Sequence, residues 1–196
     1  MNIERRNFPL SELRAKKDGL AIEGHAAVFN QLSEDLGGFK EMVRPGAFAR
    51  SIQNDDVRAL WNHDANFVLG RTKNKTLSLR EDETGLAMEN ALPDTGYARD
   101  FLKVIDRGDV DQMSFGFRTL RDDWRLEAGL VIRELIEVQL FDVSPATFPA
   151  YPQTDVAARG LFESKISELK KAAEIPPEKL YQVKLLRRRL DLAARI

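Results

Sequence analysis

The chain of 196 residues contains no cysteine. That absence excludes a disulfide framework, a cysteine-ligated zinc or iron–sulfur site, and a thiol nucleophile. Only two histidines are present, His25 and His63, too few for a histidine-rich metal site. No apolar run reaches the roughly 18 residues of a membrane span. The opening stretch, residues 1–14, has no apolar core of the kind a secretory signal needs, so a cytosolic setting is expected. An excess of one charge is also missing. The chain has 30 Lys+Arg against 31 Asp+Glu, a net of −1, which argues against broad nucleic-acid binding. What is present, 43% apolar and 31% charged residues, is ordinary for a globular protein. The length suits one domain with an appendage.

The near-zero charge combines two unlike parts. Residues 1–159 hold 21 basic and 26 acidic side chains, a net of −5. Residues 160–196 hold 9 and 5, a net of +4. The expected division is an acidic folded body, 1–159, and a basic amphipathic helical tail, 160–196. In the tail, Phe162, Ile166, Leu169 and Ala173 share one helical face, and Leu180, Val183, Leu186, Leu190 and Ala193 share another. Such faces need a surface, either the body itself or a partner.

The body alternates in the manner of strands broken by turns. Strands are expected at 20–29, 39–43, 57–61, 67–71, 76–80, 86–92, 113–118 and 130–141. A short helix starts near Ala47, and a longer one runs over Gly96–Arg107, with Thr95 as its cap and Gly108 as its stop. The fold class is α+β, mostly β, with a partly open, mostly antiparallel barrel and helices outside.

Three segments carry possible chemistry. His63 ends an apolar strand in Trp61-Asn62-His63-Asp64. Alone, such a histidine is more often a surface residue than a base. Ser114 sits in Met113-Ser114-Phe115-Gly116-Phe117-Arg118. Strand alternation puts Met113, Phe115 and Phe117 on one face and Ser114, Gly116 and Arg118 on the other. The bare Gly116 leaves the serine face open to an approaching backbone. Asp142 ends an apolar strand in Leu140-Phe141-Asp142-Val143-Ser144-Pro145. It can orient a histidine ring or form a turn. Glu137 has the opposite strand parity, so only one of the two faces a given site unless a bulge intervenes. His25, in an early strand, reads as structural. A metal hydrolase built on His63, Asp64, Asp55 and Asp56 is a weaker possibility.

Taken together, these segments resemble the prohead (procapsid maturation) serine proteases of tailed phages. The resemblance rests on Gly24-His25-Ala26-Ala27-Val28-Phe29, Val43-Arg44-Pro45-Gly46-Ala47-Phe48, Leu60-Trp61-Asn62-His63-Asp64 and Leu69-Gly70-Arg71. It also rests on Gly108–Phe117 and on Asp142-Val143-Ser144-Pro145-Ala146-Thr147-Phe148-Pro149-Ala150. It spans roughly residues 18–155. It implies a herpesvirus-protease-like barrel, a Ser114 nucleophile and a His63 base. Assemblins, the herpesvirus relatives, use a second histidine as third member. No histidine follows His63, so an acid is expected instead, Asp142 first and Glu137 second. Phe115, Gly116, Arg118 and Arg71 are the expected oxyanion or substrate residues. No metal or other cofactor is implied.

The resemblance further implies a serine endopeptidase of phage head maturation, free or prophage-encoded, acting inside the immature capsid in the host cytoplasm. Its implied partners are the major capsid protein with its scaffolding segment, and itself through autocleavage and homo-oligomers, with no membrane and no specific nucleic acid. The alternative is an inactive capsid-assembly protein of the same fold.

Overall fold

The computed structural model describes residues 3–8, 13–16, 19–147, 162–163 and 165–166. Ten strands and two helices follow in order. They are β1 (Glu4–Phe8), β2 (Arg14–Ala15), β3 (Ala21–Val28), β4 (Phe39–Val43), α1 (Ala49–Asn54), β5 (Arg58–Trp61), β6 (Asp64–Arg71), β7 (Leu77–Glu81), β8 (Gly85–Ala91), α2 (Gly96–Asp106), β9 (Gln112–Glu127) and β10 (Leu130–Ala146). The chain is therefore mostly β.

The strands form two sheets. One runs β2-β3-β8-β7; β2–β3 and β7–β8 are local pairs, and β3 joins them by pairing with the distant β8, Ala21 opposite Ala91. The other runs β1-β9-β10-β5-β6, with β4 also on β10. Here β10 is the organiser. It pairs antiparallel with β9 along almost its whole length. It also pairs parallel with β4 through Val131–Leu135 and with β5 through Asp142 and Val143. The second sheet is thus mixed at β10, but its other pairings and all those of the first sheet are antiparallel, so the described strands pair mostly antiparallel, as expected. Parallel partners need a crossover, and the segment holding α1 supplies the one between β4 and β5. Bulges interrupt β10 between Leu135 and Glu137 and between Leu140 and Asp142, which curls the sheet.

The main core lies between the sheets. Met113, Phe115 and Phe117 all face it, fully buried, with Phe48, Leu69, Leu86, Phe101 and Val143. Phe48 meets Phe115 edge-on at 5.4 Å. Truncating one such phenylalanine costs about 3–5 kcal/mol. On α2, Ala98, Phe101 and Ile105 are buried. Thr95 has the extended backbone of a cap, but its hydroxyl makes no capping bond.

A second, smaller cluster joins Leu36, Phe39, Trp124 and Val131 to Phe162 and Ile166. Phe162 stacks on Phe39 at 5.9 Å. A Cβ on Gly38 would fall 2.7 Å from the Phe162 ring, so the glycine turn makes room for it. The described tail residues therefore dock on the body. The division at 159/160 and the remaining tail stripes lie outside the described residues.

Candidate active site

His63 is placed by a turn, not by a strand. Asn62 and His63 have φ values of 54° and 58°, and Trp61 pairs with Asp64 across them. This is a two-residue hairpin of type I′. The sequence pattern places a strand only from Phe67; β6 starts at Asp64 because the hairpin closes at once. A left-handed backbone at a non-glycine residue costs about 1 kcal/mol, offset by neighbouring bonds. The Asn62 N–H donates to Pro145 O at 2.9 Å. The Thr147 N–H donates to Asn62 Oδ1 at 2.8 Å, and Asn62 Nδ2 donates to Thr147 Oγ1 at 3.2 Å. Trp61 packs on Phe101 at 5.2 Å and on Phe67 at 5.9 Å. The hairpin is thereby fastened to the end of β10 and to α2.

Ser114 and Asp142 come from the long β9–β10 ladder. Ser114 pairs with Ser144, and Gly116 pairs with Asp142. The structure brings three predicted residues together. His63 Nε2 lies 2.7 Å from Ser114 Oγ, and His63 Nδ1 lies 2.5 Å from Asp142 Oδ2. In the neutral tautomer with the proton on Nδ1, the ring donates to the carboxylate and accepts from the hydroxyl. The serine is 1% exposed, and the His63 and Asp142 side chains are largely shielded. In such a site water does little to weaken these bonds.

Gly116 has a different role from the expected one. The space above it is filled, since a Cβ there would lie 2.3 Å from Asp142 Oδ1. Its missing side chain admits the carboxylate rather than a substrate backbone. Ser114–Gly116 lies inside β9, paired with β1 on one side and β10 on the other, so the ladders engage its backbone groups.

The other predicted residues stand elsewhere. The Phe115 side chain is in the core. Arg118 donates to Gln139 Oε1 on the exposed surface. Arg71 grips Asp56 through Nε, at 2.9 and 3.1 Å, and through Nη2, and that bond holds the Asp56 carboxyl at about 2. The Glu137 carboxylate accepts from Arg50 on α1 at 3.0 Å. Asp55 accepts from Ser51, and Asp64 caps Asn66. His25 meets Asp82, with Nε2 at 3.0 and 3.1 Å from its two oxygens.

Two residues were missed from sequence. Ser144, fully buried, donates its hydroxyl to Asp142 Oδ2 at 2.7 Å. Its spacing of two from Asp142 on one strand was the available signal. The other is Asn62, whose signal is its residue type, since asparagine is favoured in the left-handed backbone of a type I′ turn.

Beneath the opposite face of β9 lies a buried ionic network. Arg133 donates to Glu4 at 2.7 Å, Glu41 at 2.9 Å and Asp122 at 2.7 Å. Arg6 donates to Glu41 at 2.9 Å and Glu4 at 2.8 Å. Burial pushes the Glu4 carboxyl up, but Arg133, Arg6 and Thr119 outweigh it and hold the group below its ordinary range. Arginine on β10 and glutamate on β4 thus face each other inside apolar strands, where a missing partner would be costly.

The family model of the caudovirus prohead serine proteases matches residues 8–172. The prohead protease of enterobacteria phage HK97 is 30% identical over 159 residues, which cover 78% of this chain and 66% of that protein. The chain thus spans just under two thirds of that relative's length. No solved structure gives a significant match. With most of its length inside the family match, the chain belongs to the caudovirus prohead serine protease family.

Proposed function

We propose that the chain is a serine endopeptidase that processes capsid protein, its scaffolding segment, or both, and finally itself, inside an immature phage head. The observation that carries this reading is the His63 ring held between Ser114 Oγ at 2.7 Å and Asp142 Oδ2 at 2.5 Å. A free serine hydroxyl is a poor nucleophile at neutral pH. His63 Nε2 takes its proton as Oγ attacks the scissile carbonyl carbon, then passes that proton to the leaving amine. Asp142 holds the Nδ1–H tautomer and stabilises the imidazolium that forms. Water then repeats the sequence on the acyl-enzyme and frees the serine.

The reading includes a herpesvirus-protease-like barrel with an acid in place of the assemblins' second histidine, and self-association of the chain. It also includes a basic tail over 160–196 that engages an acidic scaffold or the shell interior. Removing residues 167–196, which leaves Phe162 and Ile166 seated on the body, should abolish incorporation into proheads. Unchanged incorporation would refute that role.

The central test is Ser114→Ala, co-expressed with the capsid protein. Loss of cleavage by about 10⁴-fold or more is expected, together with loss of fluorophosphonate labelling at Ser114. Cleavage that persists in Ser114→Ala refutes the assignment. A wild-type chain that leaves the co-expressed capsid protein uncleaved would instead be an assembly protein that kept the fold.

A further inference from the structure

Ser114 lies under a strand that has no part in the chemistry just described. β1 pairs antiparallel with β9 from Glu4 opposite Phe117 to Phe8 opposite Met113, with Asn7 opposite Ser114. Ser114 Oγ lies 3.1 Å from Arg6 O as well as 2.7 Å from His63 Nε2. A hydroxyl has one proton to donate. If the proton points at Arg6 O, His63 must carry its own on Nε2. With a proton on Nε2, that nitrogen has no lone pair left for the serine proton and cannot act as base. The Arg6 carbonyl therefore competes with His63 for the proton that activation requires.

β1 also occupies the space a substrate needs. An endopeptidase must bring an extended chain to its nucleophile, with a carbonyl carbon about 3–3.5 Å from Oγ. Extended peptides bind by adding a strand to a sheet edge. The free lane on β9 is the one β1 fills, and β1 already sets a backbone carbonyl beside Oγ.

The strand is latched rather than built in. It is the edge of its sheet, and its ionic hold comes from Glu4 and Arg6 in the network described above. Glu4 accepts from Arg133 and Thr119, each at 2.7 Å, and Arg6 donates to Glu41 at 2.9 Å. Withdrawing β1 leaves Arg133 on Glu41 and Asp122, so neither buried charge loses every partner. The departure is reversible without an orphaned ion.

We propose that β1 is an intramolecular occluding strand: the resting chain holds residues 4–8 in the substrate lane beside Ser114, and the serine becomes reactive when that strand is displaced. The proposal rests on the protease reading of Ser114.

Because the chain has no cysteine, Ser114→Cys carries a single thiol whose alkylation by iodoacetamide reports access to that position and needs no catalysis. In the full-length protein the thiol should react at least about a hundredfold more slowly than in the unfolded chain. Adding Glu4→Ala, which removes the bonds to Arg133, Arg6 and Thr119, should speed it by about tenfold to a hundredfold. A synthetic peptide of residues 2–8 should restore protection to that variant. Amide exchange in β3 and β8 should stay slow, separating strand release from global unfolding. Arg6→Lys serves as the latch variant if Glu4→Ala does not fold. A thiol that reacts at the unfolded rate with the latch intact overturns the proposal, as does an unchanged rate once β1 amides exchange freely. Failure of the protease reading looks different: protection of the thiol persists, yet no latch variant of the Ser114 protein labels with a fluorophosphonate.

Discussion

The chain's two histidines each touch an aspartate, and only one of them ends on a hydroxyl. His25 stands on β3 and turns Nε2 to both oxygens of Asp82. That carboxylate also accepts from Thr84 N and Gly85 N and so closes the β7–β8 turn. His63 divides its nitrogens, one for Asp142 and one for Ser114. A histidine–aspartate pair is therefore not a site by itself. What distinguishes His63 is its position on a hairpin tip, where a left-handed backbone frees both ring nitrogens to face different strands.

The largest expected effect sets the two aspartates against each other. Asp142→Asn keeps the shape but cannot hold the Nδ1–H tautomer, so peptidase activity should fall by about 10⁴-fold with the fold retained. Asp82→Asn should leave activity within about threefold, because its turn is remote from the reacting atoms. Steady-state cleavage of a capsid-derived peptide decides between them. Equal losses would erase the distinction.

Next comes the glycine under the carboxylate. Gly116→Ala sets a Cβ where Asp142 Oδ1 now lies. We expect a loss of about 1–3 kcal/mol in denaturant unfolding, from overpacking, and an activity loss of about a hundredfold or more as the carboxylate shifts from Nδ1. Full activity in this variant would show that the close fit of Asp142 is dispensable. Smaller still is Ser144→Ala, which removes one charge-assisted bond to Asp142. It should lower kcat by about tenfold and leave KM unchanged. A change in KM alone would make Ser144 a substrate contact instead of a positioning residue.

Much of this was legible in the chain, and for identifiable reasons. The period-2 pattern around Met113–Phe117 and the run Val57–Trp61 specify strands directly, and α2 shows its stripe. Ser114, His63 and Asp142 were placed through family resemblance, since each alone reads as an ordinary residue. Other features are set by long-range pairing, which leaves no local trace. β4 and β5 share one edge of β10 only in three dimensions. The bulge before Asp142 shifts the strand's parity, which a strict period of two cannot foresee. β1 was unreadable because Glu4-Arg5-Arg6-Asn7 looks solvated, and its charges find partners 35 and 129 residues away. For Arg71 and Arg118, substrate contact and ordinary surface pairing read alike in the chain, and neighbours as near as Asp56 and Gln139 occupy them.

The smallest effect belongs to the other histidine. Burial pushes the Asp82 carboxyl up, but the Gly85 and Thr84 N–H groups and His25 together bring it down to about 2. A carboxyl depressed in the folded state stabilises the protein above its unfolded value near 3.8, and that contribution is lost as pH falls through about 2. His25→Ala removes one of the donors that keep it low. The folded value then rises toward the ordinary one, so acid unfolding should begin at a higher pH, while at neutral pH stability drops by only about 1 kcal/mol. Thermal melts from pH 7 down to pH 2 read both quantities. Activity at neutral pH should stay within twofold, because the two N–H donors still close the turn. If His25→Ala instead abolished cleavage while the melt barely moved, the second histidine–aspartate pair would have a part in the chemistry, and the contrast between the two would fail where it is most exposed.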